Sequence, residues 1–271
     1  MTTLGNITRR AAGLLMAAGL VTGLTSAALA LTPEEIQAKG TLVVGVLTDF
    51  PPFAGVDENQ QPAGYDDDVA ALLAEKLGVK LDLVPVTGPN RIPYLLTNRV
   101  DILIAALGIN AERAKQVNFS KPYSTLDVMV MAPKKTEVKG PEDLPKYRVG
   151  VTRAGSQDTF VTQVAPAGTN IMRFDEDPIT LQALISGQVD VIGASSIHLV
   201  WLQRDHPNLE VERKFLLHSQ GNGIGIRKED TELLSYVNAF VDEIVADGRL
   251  SKINEKWFNA PLGELPPEQK F

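Results

Sequence analysis

Short apolar runs alternate with amphipathic segments along most of the chain from residue 31 onward. The runs at 42–46, 81–86 and 101–105 have the length and composition of buried strands. Between them, apolar residues recur at helical spacing over 66–77, and a short helix is predicted over 90–98. Strands that are separated by helices pair in parallel, so the pattern predicts an α/β sheet.

A second set of elements repeats this pattern further along the chain. The run 148–151 echoes 43–46, and 187–194 echoes 98–105 in the same order. Each set has the size of one lobe, so the echo predicts two lobes of similar plan with a cleft between them for a small molecule. We expect the following division: lobe 1 over 31–124 and 223–271, lobe 2 over 128–218, and hinge crossovers at 125–127 and 219–222.

The first thirty residues have the layout of a secretory signal peptide. Arg9 and Arg10 give a positive start, 11–24 is apolar, and small residues allow cleavage after Ala30. A membrane anchor is the alternative interpretation of the same layout. The signal peptide, 1–30, predicts an exported protein.

Composition narrows the function classes. The 271 residues include no cysteine and carry a formal net charge of −7. A disulfide scaffold and a thiolate-metal site are therefore excluded, and 44% hydrophobic residues are too many for a disordered polymer. The acidic balance argues against a nucleic-acid partner, because nucleic-acid-binding proteins normally present a basic face.

Two acidic clusters stand at the starts of predicted helices. The acids at 66–68 open the first long helix, where the helix dipole favours negative charge. We expect a capped, solvated helix start there, with a metal site as the alternative. The acids at 175–177 precede Pro178 and predict a second helix start, with an acidic cap followed by proline at the first turn.

Four segments in order carry a resemblance to a known family: residues 40–45 (GTLVVG) with 51–53 (PPF), 64–70 (GYDDDVA), 110–113 (NAER) with 119–123 (FSKPY), and 256–258 (KWF). With them the chain resembles the periplasmic solute-binding proteins that deliver polar amino acids and related solutes to ABC importers. The resemblance implies the type II periplasmic-binding-protein fold, with two α/β lobes, a ligand cleft between them and two crossover hinge strands. It also implies a monomer in the periplasm that captures a small carboxylate-bearing solute by lobe closure. Such a protein serves an ABC permease in the inner membrane and needs neither a cofactor nor a metal.

The resemblance assigns the main ligand contact to Arg113. Its guanidinium would clamp the ligand's carboxylate as a planar, bidentate pair, whereas a surface salt bridge is the alternative role. Arg91 would meet a second ligand carboxylate or only brace the cleft wall. Phe50 would stack on the ligand, with Phe53 packed behind it.

Two loops are expected to line the cleft from opposite sides. In the family such loops donate backbone N–H groups to the ligand's carboxylate. Here this implicates Ala106 and Gly108 on one side, and Ala154, Gly155 and Ser156 on the other. Gly108 stands where many relatives carry a Ser or Thr hydroxyl, so one side-chain donor is lost.

Ser195 is the main departure from the family pattern, because relatives usually have an Asp there that pairs with the ligand's α-ammonium. A hydroxyl cannot restore the solvation that a buried ammonium loses. Leu47 likewise stands where glutamate/aspartate receptors tend to have an Arg. Two hypotheses remain open. The ligand is an organic acid, which the sequence favours slightly, or an amino acid whose ammonium finds another acid, with Asp49 the nearest candidate.

A cyclohexadienyl-dehydratase-like enzyme is the alternative function, because some relatives with this fold act on cyclic acids. Such chemistry needs a general acid or base in the cleft. His198, His206 and His218 lack metal-ligand spacing and are expected in surface or cap roles. The sequence has neither a Ser-His-Asp order with elbow glycines nor a phosphate loop, so it favours a binding protein over an enzyme.

Overall fold

The computed structural model describes residues 30–269. The predicted signal peptide, 1–30, lies outside the described residues except for Ala30. Within 30–269, no helix combines the length and the apolar character that crossing a membrane requires.

The described residues form nine α-helices and twelve strands in an alternating order. The helices are α1 (Pro33–Lys39), α2 (Tyr65–Leu77), α3 (Arg91–Leu96), α4 (Ala111–Ala114), α5 (Ser156–Val164), α6 (Asp177–Ile185), α7 (Ser196–Asp205), α8 (Thr231–Ala246) and α9 (Arg249–Phe258). The strands are β1 (Thr41–Val46), β2 (Gly55–Val56), β3 (Pro62–Ala63), β4 (Lys80–Pro85), β5 (Ile102–Leu103), β6 (Val117–Phe119), β7 (Ser124–Pro133), β8 (Arg148–Thr152), β9 (Asn170–Phe174), β10 (Val191–Ser195), β11 (Val211–Asn222) and β12 (Gly225–Arg227).

The first sheet has the strand order β4-β1-β5-β12-β6. Strand β1 pairs in parallel with β4 and β5, which confirms the prediction from the strand-helix-strand order. Strand β12 comes from the far end of the chain and pairs antiparallel with β5 and β6. The core beside this sheet is closed by α2 and α8, whose Leu73 and Phe240 are fully buried with Leu42 and Val44.

The second sheet has the order β11-β7-β10-β8-β9. Strands β8, β9 and β10 pair in parallel, while β7 runs antiparallel to both β10 and β11. The chain therefore passes to the second sheet through β7 and returns from it through β11. Two mixed sheets confirm the predicted α/β class, and the lobe boundaries stated above stay a prediction.

A short pairing joins the loop that follows β5 to the end of β11, the strand that returns from the second sheet. Gly108 bridges Asn222, the Ile109 N–H donates to the Gly221 carbonyl at 2.9 Å, and the Gly223 N–H donates to the Leu107 carbonyl at 3.1 Å. The end of β11 is thus fixed against the loop that follows β5, at the point where the two sheets meet.

The start of α2 holds the same loop from the other side. The Asp66 carboxylate accepts the Ala106 N–H at 2.7 Å and the Tyr123 O–H at 2.8 Å. Ala106 has a φ of 43°, a left-handed conformation that non-glycine residues rarely adopt. A Cβ on Gly64 would collide with the backbone of Phe53, so glycine is required where the chain enters α2.

The predicted solvated, capped acidic helix start is wrong for the first two acids. Asp66 and Asp67 are buried, and Gly64 at the N-cap offers no side-chain cap. Burial raises the pKa of each carboxyl to about 7. The Asp67 oxygens have no hydrogen-bond partner among the described residues, whereas Asp68 pairs with Lys256 at 2.6 Å. The alternative of a metal site finds no support within 30–269, where no group of three acids or histidines could hold an ion.

Replacing Asp67 by leucine should stabilise the protein by about 1–3 kcal/mol at roughly pH 8, because a buried carboxylate without partners is removed. The pKa of Asp67 is raised in the folded state, so the wild type takes up a proton on folding below about pH 7 and recovers stability as the pH falls. The increase in stability that Asp67→Leu causes is therefore largest at alkaline pH and becomes smaller toward about pH 4. Urea denaturation across this range measures it.

The matched control is the same substitution one residue earlier. Asp66→Leu leaves the Ala106 N–H and the Tyr123 O–H without an acceptor, so it should destabilise by about 2–4 kcal/mol. If both substitutions changed the free energy of unfolding in the same direction, the roles assigned to Asp66 and Asp67 would be refuted.

Candidate ligand-binding site

A cleft lies between the two sheets and is lined by residues of both. Its floor comes from three neighbouring strands of the second sheet. Strand β7 contributes Leu126 and Val128, β10 contributes Ser195, and β11 contributes Gln220. In the register of these strands, Ser195 pairs with Val128 and Gln220 with Leu126, so the four side chains share one end of the sheet.

Arg113 lies behind the residues that line the cleft, and its guanidinium contacts both sides of the cleft. The residue lies in the short helix α4, whose Asn110 side chain caps the helix by accepting the Arg113 N–H at 2.9 Å. The guanidinium donates to the Gly108 carbonyl at 2.7 Å on its own side. It also donates to the Ala154 carbonyl at 2.8 Å and to the Ser156 hydroxyl at 3.1 Å on the opposite side.

Arg91 lines the cleft directly. It begins the short helix α3, and its guanidinium donates to the Ala105 carbonyl at 2.9 Å and to the Ala154 carbonyl at 3.4 Å. Among residues 30–269, no carboxylate comes within 4 Å of either Arg91 or Arg113, although both are buried. Burial lowers the pKa of both guanidinium groups, and the charge of Arg91 lowers that of Arg113 further.

Arg227 shows how the same fold treats a structural arginine. It is as buried as Arg91 and Arg113, but it pairs with Asp230 at 2.7 Å. Its guanidinium also donates to the carbonyls of Leu95 and Val100. The two arginines at the cleft differ because their direct contacts are all neutral oxygens, and carboxylates such as Asp177 attract Arg91 only from beyond 4 Å. A buried charge without a counter-charge in contact is costly.

The two cleft loops have a common backbone feature. Ala106 on one side and Ala154 on the other both adopt left-handed conformations, with φ of 43° and 57°. The Ala154 carbonyl accepts from both arginines, so carbonyl oxygens of these loops orient the guanidinium groups. The Gly155 N–H donates to the Thr152 carbonyl at 3.1 Å, and Ser156 then begins α5, where the free N–H groups of the first helical turn favour an anion.

An aromatic wall closes one side of the cleft. Phe50 stacks on Phe53 with ring centroids 5.6 Å apart, and it meets the edge of His198 at 5.1 Å. Phe53 is buried and packs against Tyr65 and Phe258, which confirms its predicted place behind Phe50.

Carboxylates line the cleft from both sides. Asp49 belongs to the first-sheet side, and Asp177 stands at the start of α6 on the second. Burial, followed by the charges of Asp177 and Glu176, raises the pKa of Asp49 to about 6. Asp177 accepts hydrogen bonds from Thr152 and Gln157, which keep its carboxylate directed toward the cleft. The predicted helix start at 175–177 is confirmed, but the predicted acidic cap is not, because the Glu176 side chain at the N-cap makes no capping hydrogen bond and Asp177 lines the cleft.

Ser195, His198 and Asp177 lie next to one another in the cleft, but the contacts of Ser195 with His198 are those of a helix N-terminus. The Ser195 hydroxyl lies 3.2 Å from His198 Nδ1, and the Ser195 N–H donates to the same nitrogen at 3.4 Å. The His198 Nε2 is 4.0 Å from Asp177, too far for a hydrogen bond. Burial lowers the pKa of His198, which favours its neutral form. The cap role predicted for this histidine is confirmed, whereas a surface position is not.

Six of the nine residues predicted for the site line the cleft, and three lie immediately behind it. The lining residues are Phe50, Arg91, Ala106, Gly155, Ser156 and Ser195, and those behind are Gly108, Arg113 and Ala154. Their contacts with a ligand stay a prediction, but the prediction of free backbone donors is wrong at three positions. The N–H groups of Ala106, Ala154 and Gly155 donate within the protein, to Asp66, Asp158 and the Thr152 carbonyl. Sequence reasoning missed Asp177, His198 and Gln220 as lining residues, because each lies on an element whose local pattern predicts only a cap or a strand.

Comparisons with known proteins agree with this architecture. The model of the bacterial extracellular solute-binding proteins, family 3, matches residues 42–260. The L-cystine-binding protein TcyJ of Escherichia coli (strain K12) is 28% identical over 263 residues, which cover 96% of this chain and 98% of that protein. An ancestral arginine-binding protein bound to arginine has a TM-score of 0.75 at 36% identity, covering 81% of this chain and 98% of that structure. The solute receptor for L-cysteine of Neisseria gonorrhoeae has a TM-score of 0.79 at 27% identity, covering 86% of this chain and 100% of that structure.

These similar proteins are solute-binding proteins, which confirms the prediction of a binding protein over an enzyme. The two mixed sheets and the cleft between them match those structures over most of both chains. The chain belongs to the bacterial extracellular solute-binding proteins, family 3, and has the two-lobed fold of the periplasmic binding proteins.

Proposed function

We propose that the protein is the substrate-binding component of an ABC importer and that its ligand is an amino acid. The observation that carries this proposal is the pair of buried guanidinium groups, Arg91 and Arg113, which have no carboxylate partner among the described residues. A ligand carboxylate supplies the missing counter-charge, and the planar fork of an arginine matches its two oxygens. We assign the main clamp to Arg113, as the resemblance implies. It lies behind the lining and donates to Gly108 on one side and Ala154 on the other, while Arg91 lines the cleft itself.

The opposite charge in the same cleft supports an amino acid over an organic acid. Asp49 and Asp177 approach the ligand space from opposite sides and repel each other; burial, followed by this repulsion, raises the pKa of Asp49. An organic acid would add negative charge to this arrangement. An ammonium group or another cation lowers the repulsion, so a zwitterion matches the cleft better. The names of the relatives, which refer to cystine, arginine and cysteine, point in the same direction.

Export to the periplasm through a cleavable signal peptide and delivery of the ligand to a permease in the inner membrane complete the proposal. The leader layout at 1–30 supports export. Closure of the lobes excludes water from the polar contacts and strengthens them, so capture and presentation to the permease use one movement. We propose a monomer, because a single chain supplies both walls of the cleft.

A thermal-shift panel of amino acids, dicarboxylates and aromatic acids tests the proposed ligand class. A ligand at about 100 times its dissociation constant stabilises the folded protein by about 2.7 kcal/mol, which is readily measured. We expect one or a few L-amino acids to raise the melting temperature, and we expect organic acids without an ammonium to have no effect. Stabilisation by organic acids alone would refute the amino-acid ligand.

Arg113→Met should weaken binding of the amino acid found in the panel by at least about 2 kcal/mol, or roughly 30-fold, because the main carboxylate clamp is lost. Without ligand the variant should be no less stable than wild type, since a buried charge without a counter-charge has been removed. Isothermal titration calorimetry and urea denaturation measure the two effects. The matched control is Arg227→Met, which leaves Asp230 unpaired and should lower stability but not affinity.

The affinity for the amino acid should fall as the pH drops from about 7.5 to about 5. Asp49 has a raised pKa of about 6, so it becomes protonated over this interval and loses its attraction for the ligand's cationic group. Titration calorimetry at several pH values measures the trend, which we expect to be weaker in Asp49→Asn. An equally steep pH dependence in that variant would rule out Asp49 as its source.

A further inference from the structure

Gln220 occupies an unusual place in the cleft. It lies near the end of β11, where the chain returns from the second sheet to the first, and only 2% of its surface is exposed. Its side chain lines the cleft floor beside Leu126 of the other crossover strand. Gln220 is therefore a buried amide at the junction of the two sheets and within reach of the ligand space.

Only one end of this amide is satisfied by the protein. The Nε2 group donates to the Ser156 hydroxyl at 3.0 Å, but the Oε1 atom is buried and has no hydrogen-bond partner among the described residues. A buried carbonyl oxygen without a donor is unfavourable, and such atoms are few in folded proteins. The arrangement calls for an N–H donor at Oε1.

Gly108 and Ser156 fix the position of the amide. A Cβ at residue 108 would overlap the amide of Gln220, so the side chain can lie there only because residue 108 is glycine. The Ser156 hydroxyl that Gln220 contacts also accepts from Arg113 at 3.1 Å. The unsatisfied oxygen is therefore held next to the proposed carboxylate clamp.

We propose that Gln220 determines specificity for α-amino acids, with its Oε1 accepting a hydrogen bond from the ligand's α-ammonium. This rests on the proposed function, because it requires a ligand carboxylate at Arg113. The ammonium and the carboxylate of an α-amino acid share one carbon, so the acceptor for the ammonium must lie beside the carboxylate clamp. Gln220 meets this condition, whereas the Ser195 hydroxyl is engaged with His198.

This contact leaves the acids of the cleft for another part of the ligand. Asp177 is held by Thr152 and Gln157 and faces Asp49, in a cluster that does not share the Ser156 contact. With the α-ammonium at Gln220, these acids are free to meet a cationic group on the ligand's side chain.

The test is the ratio of two affinities, measured by titration calorimetry for wild type and Gln220→Met. The probes are every L-amino acid that stabilises the wild type in the panel, together with L-arginine and L-cystine, each paired with its desamino analogue. Methionine keeps the volume of glutamine and removes the acceptor. We expect the preference of wild type for the amino acid over its desamino analogue to fall about tenfold or more in Gln220→Met, because a hydrogen bond to a charged group is lost. A residue that only filled space would change both affinities alike.

Two further variants keep the test decisive. Gln220→Glu retains an acceptor oxygen and should keep the wild-type preference, so it also serves if Gln220→Met folds poorly. The matched control is Asn222→Leu on the same strand. Asn222 is a second buried amide, and its oxygen also lacks a partner among the described residues, but it lies outside the cleft lining. This control should change the melting temperature and leave the preference unchanged.

The affinities of wild type and the variants separate the role of Gln220 from the proposed function. If wild type prefers the amino acid and Gln220→Met shows the same preference, the contact of Gln220 with the ammonium is refuted and the proposed function stands. Loss of the preference in Gln220→Glu as well would also overturn the role of the acceptor oxygen. If wild type binds none of the amino acids, both proposals are overturned together.

Discussion

The structure depends on two positive charges that the protein buries without a carboxylate in direct contact with either. Arg91 and Arg113 donate to carbonyl and hydroxyl oxygens, and no carboxylate among residues 30–269 lies within 4 Å of either, although Asp177 and Asp49 attract Arg91 from further away. Neutral oxygens orient a guanidinium but do not offset the loss of its hydration. The fold holds both groups in place through the Asn110 cap, the loop at 105–108 and the start of α5. These elements resist the rearrangement that would expose the charges to water.

The loop at 105–108 links this charge to the rest of the first sheet. Asp66 holds Ala106 in its left-handed conformation, while the end of β11 pairs with the residues around Gly108. The same loop supplies the carbonyl oxygens that orient both arginines. The core beneath α2, the returning strand and the cleft are therefore one connected hydrogen-bond network. Asp66 therefore fixes the conformation of the cleft loop at Ala106, although Asp66 does not line the cleft.

Periodicity predicted the elements that are local in sequence, and it failed where burial or pairing depends on distant residues. The helices α2 and α3 and the parallel strands β1 and β4 follow the predicted segments closely. The antiparallel place of β12 could not be predicted, because its partners lie more than a hundred residues away. Asp67 was expected in solvent because acids at a helix start usually are, but α2 enters the core at that point. Asp177 and Gln220 carried local signals of a cap and a strand, and only the tertiary fold brings them to the cleft.

Closure of the cleft depends on the charges that line it. Two guanidinium groups extend from one side, and Asp49 and Asp177 face each other from opposite sides. Bringing the sides together increases the repulsion between the two acids and between the two arginines, which the attraction of Arg91 to Asp177 and Asp49 offsets in part. A carboxylate alone satisfies the arginines and worsens the repulsion at the acids, while a cation alone does the reverse. A zwitterion favours closure at both ends, so the charge pattern selects the ligand class through the equilibrium of closure as well as through direct contact.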